Sequence, residues 1–324
     1  MTGKARMGKT KLIAGLACAL GVAAIAGPSS SQGAPVFWAS GDIIVADSLD
    51  HQVEAVNPET GAKTPVSTGG NFVLPAGIAF DGDGNILVVV RDAFGGKGGV
   101  IRIDQVTGVQ TVVSNNAISD AAGGEQRFSD PIAIDRKGDF AYVTDFGGKP
   151  SRLVKVNLTT GKQSMVSGGK NIGDPLGVDT SLKHALIADA GSRKSNLRLR
   201  GGLIQVDLDS GKQKVIAEKG DLEDLGDVVA ESKNSALATD SGAFNFTGAM
   251  FRIDLETGKT KTIFKGGEFV PAGLAVENRK TAYITRALNL SGTGALYEVD
   301  LKSGDRTLLN GSGFNNPLGL DIAP

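Results

Sequence analysis

One short pattern recurs six times along the chain, and that recurrence limits the fold more than any other feature of the sequence. The copies are "VNPETGAKTPV" (56–66), "IDQVTGVQTVV" (103–113), "VNLTTGKQSMV" (156–166), "VDLDSGKQKVI" (206–216), "IDLETGKTKTI" (253–263) and "VDLKSGDRTLL" (299–309). Each reads apolar residue, Asn or Asp, two variable residues, Thr or Ser, Gly, then an alternating run. Asn and Asp side chains fold back on the backbone and start turns. Glycine accepts the positive φ that ends them. Each copy therefore predicts a β-hairpin with a short, fixed turn.

A second element alternates with the first. It appears as "PAGIAFDGDGNILVVVRD" (75–92), "PIAIDRKGDFAYVTD" (131–145), "PLGVDTSLKHALIAD" (175–189), "LGDVVAESKNSALATD" (225–240) and "PAGLAVENRKTAYITR" (271–286). The sixth copy is split between "PLGLDIAP" (317–324) and "GDIIVAD" (41–47). The turn glycines Gly61, Gly108, Gly161, Gly211, Gly258 and Gly304 are 47, 53, 50, 47 and 46 residues apart. Four short strands at this period make a propeller blade. The sequence thus predicts an all-β, six-bladed β-propeller in which the C-terminal strand pairs with the N-terminal ones. Glycine at 46 of 324 residues, about twice the usual share of roughly 7%, fits the many turns. Residues 41–324 are all used by this single domain.

Residues 1–26 have the pattern of a secretory signal peptide: Lys4, Arg6, Lys9 and Lys11, an apolar run from Leu12, then Ala24-Ile25-Ala26. The apolar run is short for a membrane span, which needs about 20 residues. Residues 27–40, rich in Ser, Gly and Pro, are expected to be a flexible lead-in. The sequence therefore predicts a secreted or periplasmic protein with no membrane span once the signal is cleaved. Cys18, the sole cysteine, lies in the signal, so no disulfide is expected. "GKARMGKT" (3–10) matches the phosphate-loop pattern but has no strand before it to build the cradle. A net charge of −1 lacks the basic excess of nucleic-acid binders.

The stretch "NFVLPAGIAFDGDGNILVVVRD" (71–92) resembles the NHL-type repeat. Across residues 41–324 the chain resembles six-bladed propellers that include the gluconolactonase-like enzymes and the streptogramin lyases. The resemblance implies the fold; function varies widely on it. Gluconolactonase-like enzymes hold a metal with Glu, Asn and Asp of inner strands. Their Pro-Asn-Gly is Pro175-Leu176-Gly177, Pro271-Ala272-Gly273 and Pro317-Leu318-Gly319 here, without the Asn, and no early acidic residue matches their Glu. Streptogramin-lyase-like enzymes use a histidine near the channel. Of the two histidines, His184 falls in a turn on the opposite face and His51 has no G-x-S-x-G partner.

The longer, variable connections all fall on one face of such a propeller, and binding residues usually sit on loops of that kind. The second strand of each blade ends there, at Asp47, Arg91, Asp145, Asp189, Asp240 and Arg286. Two readings of this arc stand side by side. Asp145, Asp189 and Asp240 are candidate ligands for a divalent cation, calcium or magnesium, with Arg91 and Arg286 flanking a ligand site. Equally, "DFGG", "DAGS" and "DSGA" have the Asp-x-Gly form of a local side-chain-to-backbone turn. "DGDGN" (81–85) is expected to be a tight turn, because Ile86 stands where a calcium loop needs glycine.

Other loop residues on this face are Arg193, Lys194, Arg198 and Arg200, then Glu223, Asp224 and Asp227, and the aromatics Phe94, Phe146, Phe244, Phe246 and Phe269. The function expected is an exported binding or scaffold protein whose loop-rich face takes a protein, glycan or small-molecule ligand. The alternative is a metal-dependent hydrolase of lactonase or esterase type, or a lyase, working at the acidic arc.

Overall fold

A computed structural model describes residues 37–324, apart from 116–117, 120–124, 127–130, 147–149, 192–200, 219, 267–269 and 288–292. Residues 1–36, with the expected signal peptide and most of the expected lead-in, lie outside the described residues, as do Arg193, Lys194, Arg198, Arg200 and Phe269.

Six four-stranded antiparallel sheets follow one another in a ring, as the repeat predicts. The inner strands of blades 1 to 6 are Pro75–Phe80, Pro131–Lys137, Pro175–Asp179, Leu225–Ser232, Pro271–Val276 and Pro317–Ile322. The second strands are Ile86–Val90, Phe140–Asp145, Ala185–Asp189, Ser235–Asp240, Thr281–Arg286 and Ile43–Asp47. In blade 6 the last strand of the chain pairs with Ile43–Asp47, Ile43 opposite Ile322 and Asp47 opposite Pro317. The ring is thus closed by its two ends. Closure removes the open edges that strands otherwise present.

The repeated hairpin turn is built as its residues dictate. In blade 2, Asn157 Oδ1 accepts hydrogen bonds from the Thr159 and Thr160 amides and the Thr160 hydroxyl. Gly161 follows at φ 68°. Glycine is needed here for a second reason: a Cβ would lie 2.2 Å from the Val113 carbonyl oxygen of blade 1. Ser114 of blade 1 donates to the Gly161 carbonyl, and Gln163 donates to Ser114. The turn therefore also latches one blade to the next.

The core is six apolar seams between neighbouring blades. Between blades 1 and 2, Leu87, Val89 and Val100 meet Ile134, Val143, Val154 and Val156. Second strands are covered on both faces, so Ile86–Val90 is buried throughout. That explains its unbroken apolar run. Trp38, within the expected lead-in, is buried against the seam of blades 6 and 1, its ring 6.2 Å from that of Phe80.

Each inner strand carries a bulge just after its first residues, as between Pro131 and Ile134 and between Leu225 and Val228. A bulge leaves an amide without a ladder partner. Threonine of the second strand accepts from that amide in three blades: Thr144 from Ala133, Thr239 from Asp227 and Thr285 from Gly273. Thr239 and Thr285 then donate to the next blade's Ala272 and Leu318 carbonyls.

Candidate functional site

The six inner strands enclose a channel of about 660 Å³. Its walls are largely Ala, Val, Ile and Leu. At the end where the inner strands begin it is lined by Arg91, Phe146, Asp174, Ser241 and Val270. This is the face of the long connections.

The acidic arc lies beside this mouth, not in it. Asp47, Asp145, Asp189 and Asp240 are fully buried, and none lines the channel. Asp189 accepts from the amides of Gly173, Asp174 and Gly191 at 2.8–3.2 Å. Asp240 accepts from Glu223, Asp224, Gly242 and Ala243. Asp47 accepts from Asn315 and Asn316, both at 2.7 Å. Each carboxylate ties the segment entering its own blade's inner strand. Burial pushes all three up from the ordinary aspartate range, and the converging amides work against that rise. Asp145 instead forms a buried ion pair with Arg152, whose Nη2 is 2.7 Å away. Among the described residues no group of three or more His, Cys, Asp or Glu side chains is placed to hold a metal ion.

The two arginines of the expected arc part company. Pro131, Pro175, Leu225, Pro271 and Pro317 stand opposite Asp145, Asp189, Asp240, Arg286 and Asp47, but Pro75 stands opposite Val90. Arg91 is therefore one residue out of register with the aspartates, and its true equivalents are Ser48, Phe146, Ala190, Ser241 and Ala287. That position turns inward, which is why Arg91, Phe146 and Ser241 line the mouth. Arg286 is aligned with the aspartates and lies outside the channel lining. It donates to the Tyr297 hydroxyl and the Thr293 carbonyl and stacks 5.7 Å from the Tyr297 ring centre.

Four carboxylates that the sequence did not single out as a group lie in the channel wall: Asp135, Asp179, Asp227 and Asp321. Asp227, expected in a loop, is the third residue of the blade 4 inner strand. The others are each the fifth residue of an inner strand that begins with proline. Each accepts from a backbone amide of the next blade: Asp135 from Thr180, Asp179 from Ala230 at 2.8 Å, Asp227 from Leu274 at 2.9 Å and Asp321 from Phe80. Burial raises the pKa of Asp135, and pushes Asp227 and Asp321 up to about 7. Neighbouring channel carboxylates add to the rise. A signal for three of them was present: Pro followed four residues later by Asp recurs in "PIAID", "PLGVD" and "PLGLD".

The loop aromatics divide. Phe94 packs against the seam of blades 6 and 1, and Phe244 against Phe251, their ring centres 6.1 Å apart. Phe146 is 40% exposed and Phe246 74% exposed. His51 is exposed in the loop after Asp47, and His184 Nδ1 is 3.5 Å from Asp207 on the opposite face. Neither histidine lines the channel. "DGDGN" is a tight turn, Asp81 accepting from the amides of Asp83 and Asn85 and pairing with Arg102 at 2.8 Å.

Solved structures share this fold. A chain in the crystal structure of a nidogen/laminin complex matches with a TM-score of 0.67 at 13% identity, over 87% of this chain and 98% of that one. TolB from Acinetobacter baumannii matches with a TM-score of 0.61 at 14% identity, over 90% of this chain and 69% of that one. The likeness is one of fold. No protein-family model matches the sequence, and no curated protein matches it.

Proposed function

We propose that this chain is an exported propeller that works by binding, and that it holds a protein partner against the face where the channel opens. The observation that carries this reading is the placement of three large apolar side chains. Leu49, Phe146 and Phe246 are 43%, 40% and 74% exposed. They follow the second strands of blades 6, 2 and 4, so they alternate around the mouth. Aromatic side chains are enriched at protein interfaces, where a few buried anchors carry most of the binding energy.

Phe246 adds a second argument. Phe244, Asn245 and Phe246 have φ of 54°, 62° and 61°. Blade 1 makes the same turn with Phe94, Gly95 and Gly96, at 56°, 77° and 78°. A left-handed non-glycine residue costs roughly 1–2 kcal/mol. Blade 4 sustains that strain at the two glycine positions while leaving Phe246 in water, and strain of this sort gathers at binding sites. One of the solved structures similar in fold is that of a complex between two proteins. Export rests on the sequence pattern of residues 1–26.

The test is recovery of cross-linked partners from the source cells. We expect wild-type protein and a Val109→Ser control, changed at an exposed hairpin turn on the other face, to recover the same proteins. The triple variant Leu49→Ser/Phe146→Ser/Phe246→Ser is expected to lose them. An unchanged set from the triple variant would refute this face as the binding surface.

A further inference from the structure

The channel carboxylates join neighbouring blades, and they do so in a space that holds very little positive charge. Asp135 reaches from blade 2 to blade 3, Asp179 from blade 3 to blade 4, Asp227 from blade 4 to blade 5 and Asp321 from blade 6 to blade 1. Four of the six inner seams therefore depend on an aspartate. We propose that these four side chains form a proton-operated clasp, closed in acidic surroundings and loosened by repulsion across the channel as Asp135, Asp227 and Asp321 ionise.

The charged groups around them support this. Among the described residues the channel lining carries Asp135, Asp174, Asp179, Asp227 and Asp321 against one guanidinium, Arg91, at the mouth. Asp227 is packed between the blade 3 strand, with Asp179, and the blade 5 strand, which has no titratable residue. Its own strand adds Glu231, which pairs away from it with Arg252 at 2.7 Å. Asp321 faces the blade 1 inner strand, which has no titratable residue, and its sheet neighbour Ile43–Asp47 carries only Asp47, at the far end. Lys137 Nζ is spent on the carbonyls of Thr180 and Leu182, and Arg136 donates to the Gly138 carbonyl. Among the described residues these neighbours place no cation to neutralise Asp227 or Asp321. Like charges in a poorly solvated space favour shared protons.

The sign follows from linkage. Asp227 and Asp321 are pushed up to about 7 in the folded protein, from the 3.8 of a free aspartate. The folded state then binds more protons than the unfolded chain between those values. Their stabilisation is full below about pH 4 and is lost as pH rises through about 7. The groups held low, such as Asp104, Asp207, Asp254 and Asp300, act on the acid side of that window.

The test compares thermal unfolding of the whole protein with that of Asp227→Asn/Asp321→Asn, which keeps the shape and removes the titration. Wild-type Tm is expected to fall by roughly 5 °C or more between about pH 5 and about pH 8, and the fall is expected to be clearly smaller in the double variant, which keeps only the rise contributed by Asp47, Asp135, Asp189 and Asp240. Parallel curves for the two proteins would overturn the proposal. Infrared titration of the wild type covers the case in which the variant fails to fold. A protonated-carboxyl band that persists near pH 6 and bleaches through about pH 7 supports the clasp. No such band near pH 6 overturns it.

Discussion

The propeller holds two sets of four aspartates, and they are easily confused on paper. One set, Asp47, Asp145, Asp189 and Asp240, ends the second strands. The other, Asp135, Asp179, Asp227 and Asp321, lines the channel. Three members of the first set collect amides from their own blade, and Asp145 takes Arg152. Members of the second reach one amide of the next blade and share the channel with one another. The first set fixes loops; the second fixes seams. The difference teaches that a row of carboxylates is read by what each one accepts from. The acid that turns toward open space carries the electrostatic consequence.

The largest expected effect is at Asp240. Alanine there strands four amides, those of Glu223, Asp224, Gly242 and Ala243. A stranded buried donor costs about 1–3 kcal/mol. Partial rehydration of the loop should reduce the sum, so Asp240→Ala is expected to lose about 3 kcal/mol or more, on the order of 10 °C in Tm. Asp240→Asn retains one carbonyl oxygen and should lose about half as much. Denaturation of the two variants measures this. Equal and negligible losses would show that the arc does not hold the loops.

Asp179 should behave differently, and its effect should be smaller. It accepts from the amides of Ala230 and Ser181 and from the Ser181 hydroxyl. Alanine removes those bonds, at about 1–2 kcal/mol. It also removes a charge that acts on Asp135 and Asp227. The loss is therefore expected to be clear at about pH 5 and to shrink toward zero at about pH 8, whereas the Asp240→Ala loss should remain clear at about pH 8, because the four amides it strands are unpaired at any pH. A pH series on both variants separates the two sets.

The architecture could be read from the sequence because it is repetitive. The Asn/Asp–Thr/Ser–Gly turn and the split sixth copy dictate blades and closure before any side chain is placed. The site was less legible for reasons of register. The second strand of blade 1 ends on Val90, so alignment by the last charged residue displaces Arg91 by one position and hides that it faces the mouth. The channel acids are hard to read from the sequence because each stands as one polar residue in an apolar strand. Only the closed ring brings them together. Asp227 was harder still, since the blade 4 strand begins with Leu225 in place of proline, and the acid then looks like part of a loop.

The smallest expected effect concerns the metal reading of Asp145, Asp189 and Asp240. A cation there would have to displace the Gly173 and Asp174 amides from Asp189, and Arg152 from Asp145. The amides cannot follow, because the segment they belong to leads directly into the inner strand at Pro175. Mass action makes the comparison sensitive: a ligand at 100 times its Kd stabilises by about 2.7 kcal/mol, several degrees in Tm for a domain of this size. Millimolar calcium or magnesium is therefore expected to move Tm by less than about 1 °C. A shift of several degrees that disappears in Asp189→Asn would establish the arc as a metal site. The two sets of aspartates would then have exchanged roles, with the loops held by an ion and the channel left as the structural ring.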